Sequence, residues 1–147
     1  DRGLGGKRTS NGILRRFAEQ LMDRDVLFED GLREFLGISE NETCADLYGH
    51  VRECKHVLVE KIGVDVRKAL IPLRETLKRL KEKKCKVGEV VIIMETTGRT
   101  PFFRRDRKRF AIDVKTNRNY DIDGVSLRIF TVEEVRRGIV SNFYGGE

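Results

Sequence analysis

Long apolar runs and a secretion signal are both missing from this sequence of 147 residues. No run approaches the roughly 18 consecutive apolar residues that a membrane-spanning helix needs, and no hydrophobic block lies near the start. Cysteine is scarce: Cys44, Cys54 and Cys85 are an odd number, which favours reduced thiols over a disulfide framework. We therefore expect a soluble intracellular protein, cytoplasmic or nuclear, in a reducing compartment and without a membrane partner.

Motifs for cofactor and nucleotide chemistry are also missing. The sequence contains no Gly-x-x-x-x-Gly-Lys-Ser/Thr loop, no dinucleotide fingerprint and no Gly-x-Ser-x-Gly elbow. Its few Ser, Cys and His residues show no pattern that would pair a nucleophile with a base. The sequence predicts no cofactor and favours a protein that is not an enzyme.

Positive charge is what the chain has in excess, and it is concentrated in two short stretches. The sequence carries 30 Lys and Arg against 24 Asp and Glu, a formal net charge of +6. The first basic block (residues 78–86) and the second (residues 99–109) each contain six basic residues and one acidic residue. Together they contribute +10, whereas the rest of the chain sums to −4. Such a concentrated field attracts phosphate backbones, because each neutralised phosphate releases condensed counterions.

The two basic blocks supply the predicted nucleic-acid contacts. The first block ends a predicted helix, and the second lies in a predicted loop or hairpin arm, where guanidinium groups can pair with phosphate oxygens. Phe102 and Phe103 add aromatic rings that could stack on bases, unless they pack into the core. The predicted contact residues are Lys78, Arg79, Lys81, Lys83, Lys84, Lys86, Arg99, Phe102, Phe103, Arg104, Arg105, Arg107, Lys108 and Arg109. Alternatively, the first block is a solvated helix end that offsets the helix dipole.

The periodicity of apolar residues predicts an α+β fold. Helical spacing is found over residues 10–25, 28–36, 47–62 and 64–84, which predicts an N-terminal bundle of about four helices. From residue 87 the pattern alternates, which predicts a small antiparallel β-meander followed by a C-terminal helix. The expected division is a flexible lead-in (1–9), a helical region (10–86), and a sheet with its closing helix (87–147). The last two are expected to form one compact domain.

Local signals mark where several predicted elements begin and end. Gly37 is placed to end the second helix in a left-handed conformation. Ser39 to Glu42 and Thr131 to Glu134 both have the spacing of a capping box, which opens a helix. The pair Asp123-Gly124 predicts a tight turn ahead of a strand over residues 125–130.

Both histidines and two cysteines gather within residues 44–56, which raises the possibility of a zinc site. On a predicted helix, His50 and Cys54 would share one face, and Cys44 and Cys85 could complete four ligands. No Cys-x-x-Cys knuckle supports this set. The alternative interpretation places Cys54 in the helix core and both imidazoles at the surface.

The tripeptide Asp113-Val-Lys115 has the form used by metal-dependent nucleases, in which a carboxylate binds Mg²⁺ and a lysine positions water. A further acidic residue would come from Glu95 or Asp106, with Glu89 or Asp121 as weaker choices. A charged outer strand face explains the same residues without any catalysis.

The sequence thus predicts a non-enzymatic domain that binds RNA or DNA through phosphates, without sequence-specific readout. One alternative is a protein-interaction or assembly module of a larger protein, with a protein partner or a second copy of the chain. The other alternative is the metal-dependent nuclease.

Overall fold

The computed structural model describes residues 4–51, 55–63, 65–95 and 118–144, with side chains from residue 12 onward in the first helix. These residues form four α-helices, one short 3-10 helix and six strands. In chain order they are α1 (Leu4–Leu21), β1 (Met22–Phe28), α2 (Glu29–Leu36), β2 (Leu47–Val51), β3 (Lys55–Ile62), α3 (Val66–Glu82), β4 (Glu89–Met94), β5 (Asn119–Ile122), β6 (Val125–Thr131), α4 (Val132–Arg136) and the 3-10 helix (Val140–Phe143).

The strands form one mixed sheet in the order β1-β2-β3-β4-β6-β5. Strands β1, β2 and β3 pair antiparallel. Helix α3 then carries the chain back to β4, which lies parallel to both β3 and β6, and β5 pairs antiparallel with β6. The predicted fold class is therefore wrong: strands are spread along the chain, and there is neither an N-terminal helical bundle nor a simple antiparallel meander.

The main error is the predicted helix over residues 47–62, which forms β2 and β3 instead. Residues four apart lie on the same face of a strand as well as of a helix. Leu47 and Val51 thus face one core, and Leu58 and Ile62 face the other. Four-residue spacing therefore could not distinguish the two structures, and the buried strands lack the polar alternation of a half-exposed strand.

The sheet lies between two layers of helices. Helices α2 and α3 cover one face, where Leu32 and Leu73 are fully buried against strand residues such as Leu58. Helices α1 and α4 cover the other face, where Phe17 packs against Phe130. All six residues of β4 are buried, as expected for a central strand that is covered on both sides.

Several local predictions are confirmed. Gly37 ends α2 with φ of 71°, and Asp123 and Gly124 turn between β5 and β6 with φ of 51° and 85°. Thr131 and Glu134 form both hydrogen bonds of a capping box. The box predicted at Ser39 and Glu42 forms a turn that leads into β2 and not into a helix, and residues 96–117 of the predicted meander lie outside the described residues.

The parallel strands give the sheet two distinct edges. We call the end where β3, β4 and β6 finish the carboxyl edge, and the end where they start the amino edge. Ligands of open α/β sheets usually bind outside the carboxyl ends of the strands. None of the helices in the described ranges is both long and apolar enough to cross a bilayer.

Candidate functional site

The first basic block lies at the amino edge, where α3 ends and the chain approaches β4. Its lysines Lys78, Lys81, Lys83, Lys84 and Lys86 are all exposed. Among the described residues, none of these five ammonium groups forms an ion pair with a carboxylate. The positive charge of these five lysines is therefore not neutralised by a carboxylate within the described part of the chain.

Arg79 differs from the lysines of the block. Its guanidinium lies 3.1 Å from Glu42 Oε2 and is only partly exposed. The hydrogen bond from the Ser39 backbone N–H and the positive charge of Arg79 both lower the pKa of Glu42, so the Glu42 side chain remains ionised. Arg79 thus fastens the loop after α2 to α3, which makes it a structural residue first.

The second basic block lies outside the described residues, as do Phe102, Phe103, Asp106, Asp113 and Lys115. The described residues that flank this stretch lie toward the carboxyl edge. Glu95 follows the end of β4, and Arg118 shares hydrogen bonds with Ile129 near the end of β6. The first block, at the amino edge, is separated from Glu95 by the length of β4, roughly 20 Å.

The predicted zinc ligands do not share a helix. His50 lies in β2, directly opposite His56 in β3, and Cys54 is outside the described residues. Cys44 is buried, and burial raises the pKa of its thiol to about 11, which disfavours the thiolate that zinc requires. Across the described ranges, no three His, Cys, Asp or Glu side chains are arranged to hold a metal ion.

His50 instead forms a hydrogen-bonded chain with two residues of the edge strand β1. Its Nδ1 lies 2.8 Å from Asp23 Oδ1, and its Nε2 lies 3.1 Å from Arg24 Nη2. Because a guanidinium can only donate, Nε2 must accept and Nδ1 must carry the proton. The same hydrogen bond from His50 is the largest cause lowering the pKa of Asp23.

His56 stacks on Tyr48, with ring centroids 5.5 Å apart, and meets His50 edge-on at 4.9 Å. Its Nε2 lies 3.6 Å from Asp25, a residue with φ of 57° in the irregular part of β1. The hydroxyl of Tyr48 donates to the carbonyl of Lys86 at 2.9 Å. These contacts tie the first basic block to the sheet at the amino edge.

A second cluster, the carboxyl pair Asp46 and Glu60, lies toward the carboxyl edge. Asp46 Oδ2 accepts a 2.8 Å hydrogen bond from the backbone N–H of Lys61. Burial raises the pKa of Asp46 to about 6 and that of Glu60 to about 9. The negative charge of Glu29 raises both pKa values further. The hydrogen bond between the two carboxyls raises the pKa of Glu60 and lowers that of Asp46, so Glu60 holds the shared proton at neutral pH.

Within the described part of the chain, the carboxyl pair has one unsatisfied oxygen and lies next to an ion pair on the other face of β3. Glu60 Oε1 is buried without a hydrogen-bond partner among the described residues. On the opposite face of β3, Lys61 is buried to 8% exposure with its Nζ 2.7 Å from Glu95 Oε2. Buried carboxyls with raised pKa values are common at functional sites, although structural networks also produce them.

Sequence reasoning missed the carboxyl pair because β2 and β3 had been predicted as a helix. Glu60 was the available signal, since it and Lys61 are the two charged residues in the otherwise apolar run from Val57 to Ile62. An acidic residue inside a buried strand requires a partner, and Asp46, the residue before β2, provides it. Glu95, a candidate from the sequence, lies near this edge but pairs with Lys61.

Comparison with known proteins gives no guidance: no family model, curated protein or solved structure matches the chain.

Proposed function

We propose that this protein binds nucleic acid through its phosphates, with the lysines of the first basic block as the main described contacts. The observation that carries the proposal is that these exposed ammonium groups have no carboxylate partner within the described ranges. Mobile unpaired lysines act as point charges for a polyanion, and their binding releases counterions from it.

The contrast with the arginines of the chain supports this interpretation. Arg33, Arg74 and Arg118 each meet a carboxylate within 4 Å, at Glu29, Asp123 and Glu134 respectively. Several cations elsewhere are thus neutralised locally, whereas the five lysines of the first basic block have no carboxylate partner in the described ranges. Its field remains available to a partner.

The second basic block, with Phe102 and Phe103, is proposed as a further contact on the strength of its sequence alone. No base-reading pattern accompanies either block, so we expect weakly selective binding whose affinity depends on salt. The free thiols of Cys44 and Cys85 support an intracellular, reducing location for this function.

The test is fluorescence polarisation with labelled single- and double-stranded RNA and DNA over a salt titration. Replacing Lys81, Lys84 and Lys86 by Gln should weaken binding and flatten the dependence of log K on log salt by about 2 to 3 units. A matched control replaces three exposed cations elsewhere, Lys68, Arg136 and Arg137. Equal losses in both triple variants would contradict the assignment to the first block.

Absence of binding at low salt would refute the proposal as a whole. The first basic block would then be expected to bind an acidic surface of a partner protein, as in an assembly module. Light scattering over a range of concentrations would show whether that partner is a second copy of the chain.

A second candidate function, metal-dependent cleavage of the bound phosphodiester, is favoured by the carboxyl pair. Mg²⁺ is usually held by one or two protein carboxylates together with substrate phosphates, rather than by a complete protein cage. Asp46 and Glu60 offer two carboxyls near the carboxyl edge, and Glu60 Oε1 has no described partner. Mg²⁺ would have to displace the proton that Glu60 holds at neutral pH. In this alternative the metal is held by the carboxyl pair and not by Asp113 with Lys115, which lie outside the described residues.

Cleavage would be measured on labelled oligonucleotides with Mg²⁺, Mn²⁺ or EDTA. Asp46→Asn and Glu60→Gln should abolish it while leaving binding unchanged. Asp30→Asn and Glu34→Gln, on exposed positions of α2, are the matched controls. Metal-independent degradation, or cleavage that survives in Asp46→Asn, would refute this candidate.

A further inference from the structure

Phe35 is an apolar residue that the fold leaves outside its core. In helix α2, Leu32 is 0% exposed and Leu36 is 7% exposed, whereas Phe35 between them is 42% exposed. The helical spacing of apolar residues over 28–36 places Phe35 with Leu32 and Leu36 and so predicts that it faces inward. Its ring instead lies on the outer surface of the helix.

The ring lies beside the first basic block. Lys83 Nζ is 5.1 Å from the centroid of Phe35, within the range of a cation–π contact. Lys83 is the first residue after α3, and the exposed Lys84 and Lys86 follow it. Phe35 therefore contacts one exposed cation of the first basic block, and two more exposed cations follow it along the chain.

An aromatic ring next to unpaired cations matches the chemistry of one strand of nucleic acid. The cations attract its phosphates, and the π-face of the ring accepts an unstacked base of any identity. A duplex does not offer the faces of its bases to such a ring, since the bases remain stacked inside the helix.

We propose that Phe35 and Lys83 form a stacking site for one base of single-stranded nucleic acid, beside the phosphate contacts of Lys84 and Lys86. This inference rests on the proposed function and specifies its ligand as single-stranded. Stacking is not electrostatic, so Phe35 should contribute affinity without contributing to the salt dependence, whereas Lys84 should contribute to both.

The chain contains no tryptophan, which gives the site a direct probe. Phe35→Trp introduces a single indole, and a stacked base should quench its fluorescence on titration with a single-stranded oligothymidylate. Phe143→Trp is the control, because Phe143 has a similar exposure of 38% but lies under Arg118, away from the first block. Circular dichroism would verify that both variants are folded.

Affinity measurements complete the test. Phe35→Leu keeps the apolar bulk and removes the π-face, and it should weaken binding of the oligothymidylate by about 5-fold or more with an unchanged salt slope. Binding of a duplex of the same length should be unaffected. Saturable binding by polarisation without quenching of Phe35→Trp, or equal affinity of Phe35→Leu and wild type, would overturn the stacking site while leaving the proposed function intact. No binding of any nucleic acid at low salt would overturn both.

Discussion

Tyr144 donates a hydrogen bond of 2.6 Å to Oε1 of Glu89, the first residue of the central strand β4. Glu89 is 1% exposed, and its other oxygen lies 3.2 Å from Arg128 Nε. Burial, and then the charge of Glu89, raise the pKa of Tyr144 above its ordinary value, so the hydroxyl remains a donor at physiological pH. The chain after β6 is thus fastened to the start of β4 by a buried charged group.

Tyr144→Phe should lower the free energy of unfolding by about 2 kcal/mol, because it leaves a buried carboxylate oxygen without its donor. The measurement is chemical denaturation at neutral pH. Tyr48→Phe is the matched control: it also removes a buried tyrosine hydroxyl, but its acceptor is the neutral carbonyl of Lys86. A cost at Tyr144 no greater than that at Tyr48 would show that the charge of Glu89 adds nothing.

The elements that could be predicted from the sequence are those whose signals are local. Gly37 after α2, the capping box of α4 and the Asp123-Gly124 turn each depend on a few adjacent residues, and all three are confirmed. The parallel pairing of β4 with β6 joins segments that are far apart along the chain, and no adjacent residues encode it. The same holds for the return of α3 across the sheet, which makes β3 and β4 neighbours.

The candidate site, like the fold, could be predicted only where its signal lies in adjacent residues. The lysines at the end of α3 were identified because a charge block is visible in any fold. The carboxyl pair depends on the register of β2 and β3, which brings residues 46 and 60 together across a hairpin. Once that segment had been predicted as a helix, neither Asp46 with Glu60 nor Asp23 with His50 could be recognised as neighbours.

Glu134 is held by the bidentate guanidinium of Arg118, with both N–O distances 2.9 Å, and it also accepts from the Thr131 backbone N–H. Burial opposes the charge of Glu134, but the hydrogen bonds from Arg118 and Thr131 outweigh it and lower the pKa. Glu134→Gln should lower the free energy of unfolding by about 1 to 2 kcal/mol at neutral pH.

The pH dependence of that difference follows from the lowered pKa. Stability from the ionised Glu134 is fully present above its unfolded pKa and is lost as pH falls through its lower folded pKa. The gap between wild type and Glu134→Gln should therefore close in acid. Glu133→Gln, an exposed neighbour in the same turn, should have little effect at any pH. A gap that is constant with pH would contradict the ion pair as its cause.

His50 should be found in the tautomer protonated at Nδ1, because Arg24 occupies Nε2 and Asp23 accepts from Nδ1. Long-range proton–nitrogen NMR distinguishes the two ring nitrogens directly. In Arg24→Ala the donor to Nε2 disappears, and the nitrogen resonance of Nε2 should shift while that of Nδ1 changes little. A wild-type spectrum showing the proton on Nε2 would contradict the assigned hydrogen-bond chain.

The carboxyl pair should make the stability of the protein fall with rising pH. A carboxyl whose folded pKa is raised binds its proton more tightly in the folded state, so its contribution declines from the unfolded pKa up to the folded one. For Glu60 that window runs from the ordinary value of 4.5 to about 9. Each proton held only by the folded state gives a slope of up to about 1.4 kcal/mol per pH unit.

Glu60→Gln should flatten this profile, because an amide keeps a hydrogen-bond donor toward Asp46 without a proton to lose. The variant should gain stability over wild type as pH rises from 5 toward 9, the upper end of the window for Glu60. Glu75→Gln, an exposed position on α3, is the control and should follow the wild-type profile. The measurement is the midpoint of thermal unfolding across this range, and parallel profiles for Glu60→Gln and wild type would show that Glu60 is already ionised in the folded protein.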